Sequence, residues 1–291
     1  MKNLLLFLLL ISGVCGQAQE LSKAPALGFS TGLINYEGDL KPNSFTFNQS
    51  NPYFSVYVVK PLLSRVNLRA GVGMGKVEAA DRNNRDYLQQ RNLSFKSGIK
   101  EVYAGLELYL LSTEMARFNP YVFVGGAVFH FDPWAIDGNG KKVYLQPLST
   151  EGQGLAAYPS RKVYSLTQYA LCLSGGFKYR INDNISLGWE LSQRKTFTDY
   201  LDDVSSSYVD RDKLFAAKGQ QAVDMAFRGG EVSTSNLYPH DGEQRGTPTE
   251  NDWYYYFGLT MEVKLSAVKD KLTSAFKGSH DKRINRCPSV F

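Results

Sequence analysis

The sequence predicts an all-β fold: an eight-stranded antiparallel transmembrane β-barrel with long extracellular loops and a short periplasmic C-terminal tail. Three observations predict it. Eight segments alternate apolar and polar residues with the period of a strand. The gaps between them are alternately tight and long. Beyond the first 16 residues no apolar run reaches the roughly 20 residues that a membrane helix needs. The 291 residues include 26 glycines, 18 tyrosines and 17 phenylalanines. Glycines ease a crowded, twisted barrel wall, and tyrosines suit the two bilayer interfaces. A mean hydropathy of −0.29 fits as well, because a barrel strand is apolar only at alternate positions. The formal net charge of +5 is modest and gives no ground for nucleic-acid binding.

The chain opens on Met1, Lys2 and Asn3, followed by an apolar run over 4–11 and small residues over 12–16. That order predicts a secretory signal peptide over 1–16, cleaved after Gly16 or near Ala18. Lipoprotein processing at Cys15 is disfavoured, because Val14 stands where Gly or Ala would be wanted. The barrel is expected over 17–265 and the tail over 266–291.

The strands are expected at 27–36, 52–60, 65–76, 93–111, 118–132, 164–180, 185–197 and 253–265. Only 61–64, 112–117 and 181–184 separate three of the pairs, and the other connections are much longer. An even strand count with short turns at one end places both mature termini in the periplasm. Several strands sort cleanly by face. The third sets Val66, Leu68, Ala70, Val72 and Met74 against Arg65, Asn67 and Arg69. The fourth sets Val102, Ala104, Leu106 and Leu108 against Glu101, Tyr103, Glu107 and Tyr109. The sixth opposes Leu171, Leu173 and Phe177 to Cys172, Ser174, Lys178 and Arg180. The seventh opposes Leu187, Trp189 and Leu191 to Ser192, Glu190 and Arg194. The last opposes Leu259, Met261 and Val263 to Tyr254, Thr260, Glu262 and Lys264. The first, second and fifth sort less clearly.

The inward set therefore holds Arg65, Arg69, Lys178, Arg180, Arg194 and Lys264 beside Glu101, Glu107, Glu190 and Glu262. Buried charges persist when paired, and eight strands enclose a lumen that side chains can fill. We expect an ion-pair plug; a proton or solute path or an internal active site is the alternative. After processing two cysteines remain, Cys172 within a strand and Cys287 in the tail. Their separation argues against an internal bridge and leaves Cys287 as a thiol for another protein.

Other motifs carry little chemistry. Residues 71–76 hold three alternate glycines, but the spacing is wrong for a phosphate loop. His130, His240 and His280 are scattered, so no metal and no cofactor is expected. Asp199, Asp202, Asp203, Asp210 and Asp212 crowd the last long loop without the spacing of a calcium loop, and hydrogen bonding with capping is the expected role. No catalytic constellation can be assembled, so no enzyme is expected. In the tail, Val268, Leu272 and Phe276 recur at helical spacing among lysines, followed by Lys282, Arg283, Arg286 and Cys287. A short amphipathic helix over 267–277 that docks on a periplasmic partner is expected, against a basic tail lying on the membrane.

Four stretches narrow the identity further: residues 35–40 (NYEGDL), 145–155 (LQPLSTEGQGL), 196–205 (TFTDYLDDVS), and 244–246 (QRG) with 251–254 (NDWY). In these the chain resembles the PorG family over nearly its whole mature length. The resemblance implies a small outer-membrane barrel, an accessory component of the type IX secretion system. It further implies binding to the periplasmic ring of the lipoprotein PorK and its partner PorN. A transport pore, and a surface adhesin or enzyme using the loops over 133–163 and 199–252, remain the competing expectations.

Overall fold

Strand pairing closes on itself. The computed structural model describes residues 24–41, 49–113 and 116–266. Its strands are β1 (Ala26–Glu37), β2 (Asn51–Leu63), β3 (Val66–Ala80), β4 (Ser94–Tyr109), β5 (Phe118–His130), β6 (Pro133–Ile136), β7 (Lys142–Tyr144), β8 (Thr167–Arg180), β9 (Ile185–Thr196) and β10 (Trp253–Lys264). Eight of them pair in the order β3-β2-β1-β10-β9-β8-β5-β4, and β4 returns to β3. Every pairing is antiparallel. Closure leaves no strand edge to face lipid, where an unpaired amide would have no water to bind. The expected eight-stranded barrel is therefore the fold.

The two faces separate by chemistry. Outward side chains form an apolar band: Val72 is 53% exposed, Val102 61% and Leu259 64%. Their inward neighbours are buried. So wide an apolar exterior around a polar interior belongs in a bilayer. The second strand follows the same rule once its tyrosines are counted as polar. Phe54, Val56 and Val58 face out, while Tyr53, Ser55, Tyr57 and Val59 are buried inside. Tight contacts depend on glycine at two places. A Cβ on Gly258 would lie 2.2 Å from the Thr31 carbonyl oxygen, where β1 meets β10, and one on Gly28 would enter the Tyr57 ring at 2.1 Å.

Short turns join β2–β3, β4–β5 and β8–β9 at one end, which also holds the start of β1 and the end of β10. The opposite end carries the long connections. There β6 and β7 form a hairpin that extends the sheet from β4. Three helices, α1 (Asp86–Gln89), α2 (Arg211–Lys218) and α3 (Gln220–Ala226), belong to the same end. Alternation alone did not reveal the hairpin or the helices. The expected tail contacts, Val268, Leu272, Phe276, Lys282, Arg283, Arg286 and Cys287, lie outside the described residues, as does the expected signal peptide over 1–16.

Candidate functional site

The lumen is filled by a connected polar network. Arg69 on β3 donates to both carboxylate oxygens of Glu190 on β9, at 2.5 and 3.3 Å. A further contact joins it to Glu107 on β4 at 3.4 Å. Its guanidinium also lies 4.0 Å from the centre of the Tyr57 ring. Lys178 on β8 donates to Glu107 at 2.9 and 2.8 Å, to Glu262 on β10 at 2.5 Å and to the Tyr109 hydroxyl at 2.8 Å. Arg194 on β9 makes two 3.1 Å bonds to Glu101 on β4. Tyrosine hydroxyls supply further donors: Tyr53 and Tyr254 to Glu101 at 2.6 and 2.7 Å, Tyr121 and Tyr256 to Glu190, and Tyr109 to Glu107 at 2.7 Å. Three cations thus hold four carboxylates, and the tyrosines take up lone pairs that the cations leave.

Three of the ten expected lumen charges stand apart from this network. Arg65 is exposed in the β2–β3 turn, one residue before β3 begins. Lys264 is exposed at the last position of β10. Arg180, half-buried at the end of β8, donates to the Thr113 carbonyl at 3.3 Å. Alternation gives a residue's face but not its height, and these three lie at the rim. Arg180 and Lys264 line a 330 Å³ vestibule at the short-turn mouth, with Lys178 and Glu262 at its floor. Cys172 is a free, buried thiol in the wall.

At the long-connection end the four stretches 35–40, 145–155, 196–205 and 244–254 converge into one cap. Glu151 accepts from the Ser205 and Ser206 amides, each at 2.9 Å, and from Arg245 Nη1 at 2.9 Å. Arg245 also donates to the Asp203 carbonyl at 2.6 Å and to the Ala226 carbonyl at 3.2 Å. Burial works against its charge, but Glu151 and Asp203 hold the Arg245 guanidinium above its usual value. Behind it Arg91 pairs with Asp81 through two 2.8 Å bonds and donates to the Arg245 carbonyl. Asp203, in the left-handed region at φ 67°, accepts from Thr150 and from Tyr164 at 2.7 Å.

The acidic run in the last long loop does not gather into one site. Asp210 caps α2 by accepting from the Lys213 amide at 2.9 Å, and Asp212 is exposed. Asp199 and Asp202 instead join two aspartates distant in sequence, Asp39 and Asp252. The Tyr36 hydroxyl contacts Asp202 at 2.6 Å and Asp252 at 2.8 Å. One hydroxyl carries one proton, so the second contact needs a proton on a carboxyl group. Burial raises Asp252 and Asp202, and each is pushed further by nearby carboxylates. Burial pushes Asp199 up to about 9, with Asp202 and Asp39 nearby adding to the rise, against a Ser205 hydroxyl that favours its charged form. Among the described residues no group of three metal-ligating side chains is placed to hold an ion.

A carboxyl raised in the folded state keeps a proton that the unfolded chain has lost. Its contribution to stability is complete below the ordinary aspartate value and disappears as pH rises towards 9. The cap should therefore resist proteolysis better at pH 5 than at pH 8. Asp199→Asn should strengthen it at pH 8 by about 1–2 kcal/mol and flatten the dependence. A cap whose protease resistance rises with pH would contradict this reading.

Outside the cap, a cleft of about 1130 Å³ opens between the β3–β4 and β9–β10 connections, bordered by Arg85, Tyr87, Lys195, Glu250 and Trp253. Strand alternation carries no trace of it, because its walls come from segments far apart in the chain.

Residues 2–216 match the model of the family described as Domain of unknown function (DUF6089). The chain belongs to that family. No curated protein matches it. Among solved structures it is similar to Neisserial surface protein A, at 8% identity and TM-score 0.41 over 84% of this chain and 99% of that one. Ail, the attachment invasion locus protein of Yersinia pestis, is similar at 5% identity and TM-score 0.39 over 83% and 98%. OprG from Pseudomonas aeruginosa is similar at 10% identity and TM-score 0.37 over 82% and 96%.

Proposed function

We propose that the chain is a non-enzymatic outer-membrane anchor that tethers the periplasmic PorK-PorN ring of type IX protein secretion to the outer membrane. The filled lumen carries this reading. A barrel whose cross-section is occupied by Arg69, Lys178, Arg194 and their carboxylates is a rigid post and leaves no path for solute. In this reading the short-turn end faces the periplasm and both mature termini emerge there. β10 ends at that mouth, so the segment after Ser266 starts beside the ring. Its apolar Val268, Leu272 and Phe276 and basic Lys282, Arg283 and Arg286 then bind the partner, and Cys287 is available for an intermolecular disulfide.

Purification of the tagged chain in mild detergent tests this. PorK and PorN are expected to travel with the full chain, and a chain ending at Ser266 should recover at least about ten-fold less of them. Undiminished recovery would overturn tail docking. On non-reducing gels, high-mass species that survive Cys287→Ser would rule out the disulfide.

A second reading rests on the cleft above the cap, whose mixed charged and aromatic border suits a polar surface ligand. In that reading the long loops serve adhesion or binding. Shortening the β3–β4 connection would then abolish surface binding while leaving ring recovery intact.

A further inference from the structure

On the outer wall, at the upper limit of the apolar band, basic side chains gather on three adjacent strands. Lys100 on β4 stands beside Met74 of β3 and His130 of β5. It lies one outward position above Val102, which belongs to the band. Two positions further up, Lys96 reaches Glu78 at 3.4 Å, and Lys76 reaches the same carboxylate oxygen at 3.3 Å. Both lysine side chains remain 43% exposed. Lys142 on β7 stacks 4.5 Å from the Trp134 ring and 4.3 Å from the Tyr144 ring. Glu78 and the half-buried Asp132, which faces His130 and Lys142, are the acidic groups among them.

The centre of the group is open. Gly98 lies between Lys96 and Lys100 along β4 and directly opposite Lys76, and an added Cβ there meets nothing within 4 Å. At the same height on β8, β9 and β10 the outward side chains are Tyr169 and Thr167, Gln193 and Lys195, and Trp253, whereas Tyr255 is buried. There the single lysine already stacks on Trp253 at 5.1 Å. A general interfacial girdle would spread its cations evenly; this one concentrates them around a gap.

We propose that this slot binds the phosphate of a lipid headgroup in the leaflet at the long-connection end. In an outer membrane with lipopolysaccharide outside, that group is the phosphorylated diglucosamine of lipid A. Charge complementarity and height support it. Four lysines face two carboxylates, and they sit where acyl chains give way to headgroups. Trp134 and Tyr144 present amphipathic rings at the same level. The inference rests on the membrane-spanning fold and on its long loops facing outward; it is independent of ring anchoring.

The test is binding of purified full-length barrel in mild detergent to bis-phosphorylated lipid A and to the same lipid stripped of phosphate. The wild-type chain is expected to bind the phosphorylated form at least about ten-fold more tightly. The exposed-site variant Lys76→Gln/Lys96→Gln/Lys100→Gln/Lys142→Gln should lose that preference, whereas Lys195→Gln should keep it. Equal binding of the two lipids by wild-type protein would overturn the proposal without recourse to any variant. Displacement of the lipid by millimolar inorganic phosphate would overturn it too, by showing a simple anion site.

Discussion

Replacing Arg69 by alanine should destabilise the barrel by about 3–5 kcal/mol, the scale expected when one partner of a buried pair is removed. The loss is large because Glu190 stays behind. It is completely buried, and without Arg69 its donors among the described residues are the Tyr121 and Tyr256 hydroxyls. Glu107 is less affected, since Lys178 holds both its oxygens. The Tyr57 ring also loses the group stacked on it. Urea unfolding in lipid vesicles, followed by tryptophan fluorescence, reads the change. Arg69→Met combined with Glu190→Gln should recover more than half of the loss, because neither charge is then left unpaired. A single variant within about 1 kcal/mol of wild type would mean that the network does not support the fold.

Arg245→Met should act as strongly but only on the cap. Arg245 ties Glu151, Asp203 and Ala226 together from one buried position, and Glu151 in turn gathers the 205–206 backbone. None of these groups belongs to a barrel strand. Loss of the pair should lower the free energy of cap opening by about 3–5 kcal/mol, which multiplies proteolysis within 145–163 and 199–252 by about a hundred or more. The barrel should keep its urea midpoint. A fall in both together would show that cap and barrel unfold as one unit.

How much was readable from the residues follows from the range of the interactions. The face of Arg69, Glu101 and Glu190 follows from alternation, a local property. Their pairing does not, because Arg69 and Glu190 meet across 121 positions of chain. Arg65, Arg180 and Lys264 were assigned to the plug since alternation ignores height along the barrel. Tyr53 and Tyr57 blurred the second strand, because a tyrosine reads as apolar while its hydroxyl serves the lumen. In the cap, the quoted stretches were visible as motifs. That they share one buried core depended on loop closure, and Asp199 found its neighbours in Asp39 and Asp252 rather than in Asp210 or Asp212.

The ion-pair network should seal the lumen. Single-channel recording of the purified chain in a planar bilayer tests it most directly. The filled network predicts a flat baseline at both polarities, and reproducible conductance steps of uniform size from protein free of other porins would contradict it.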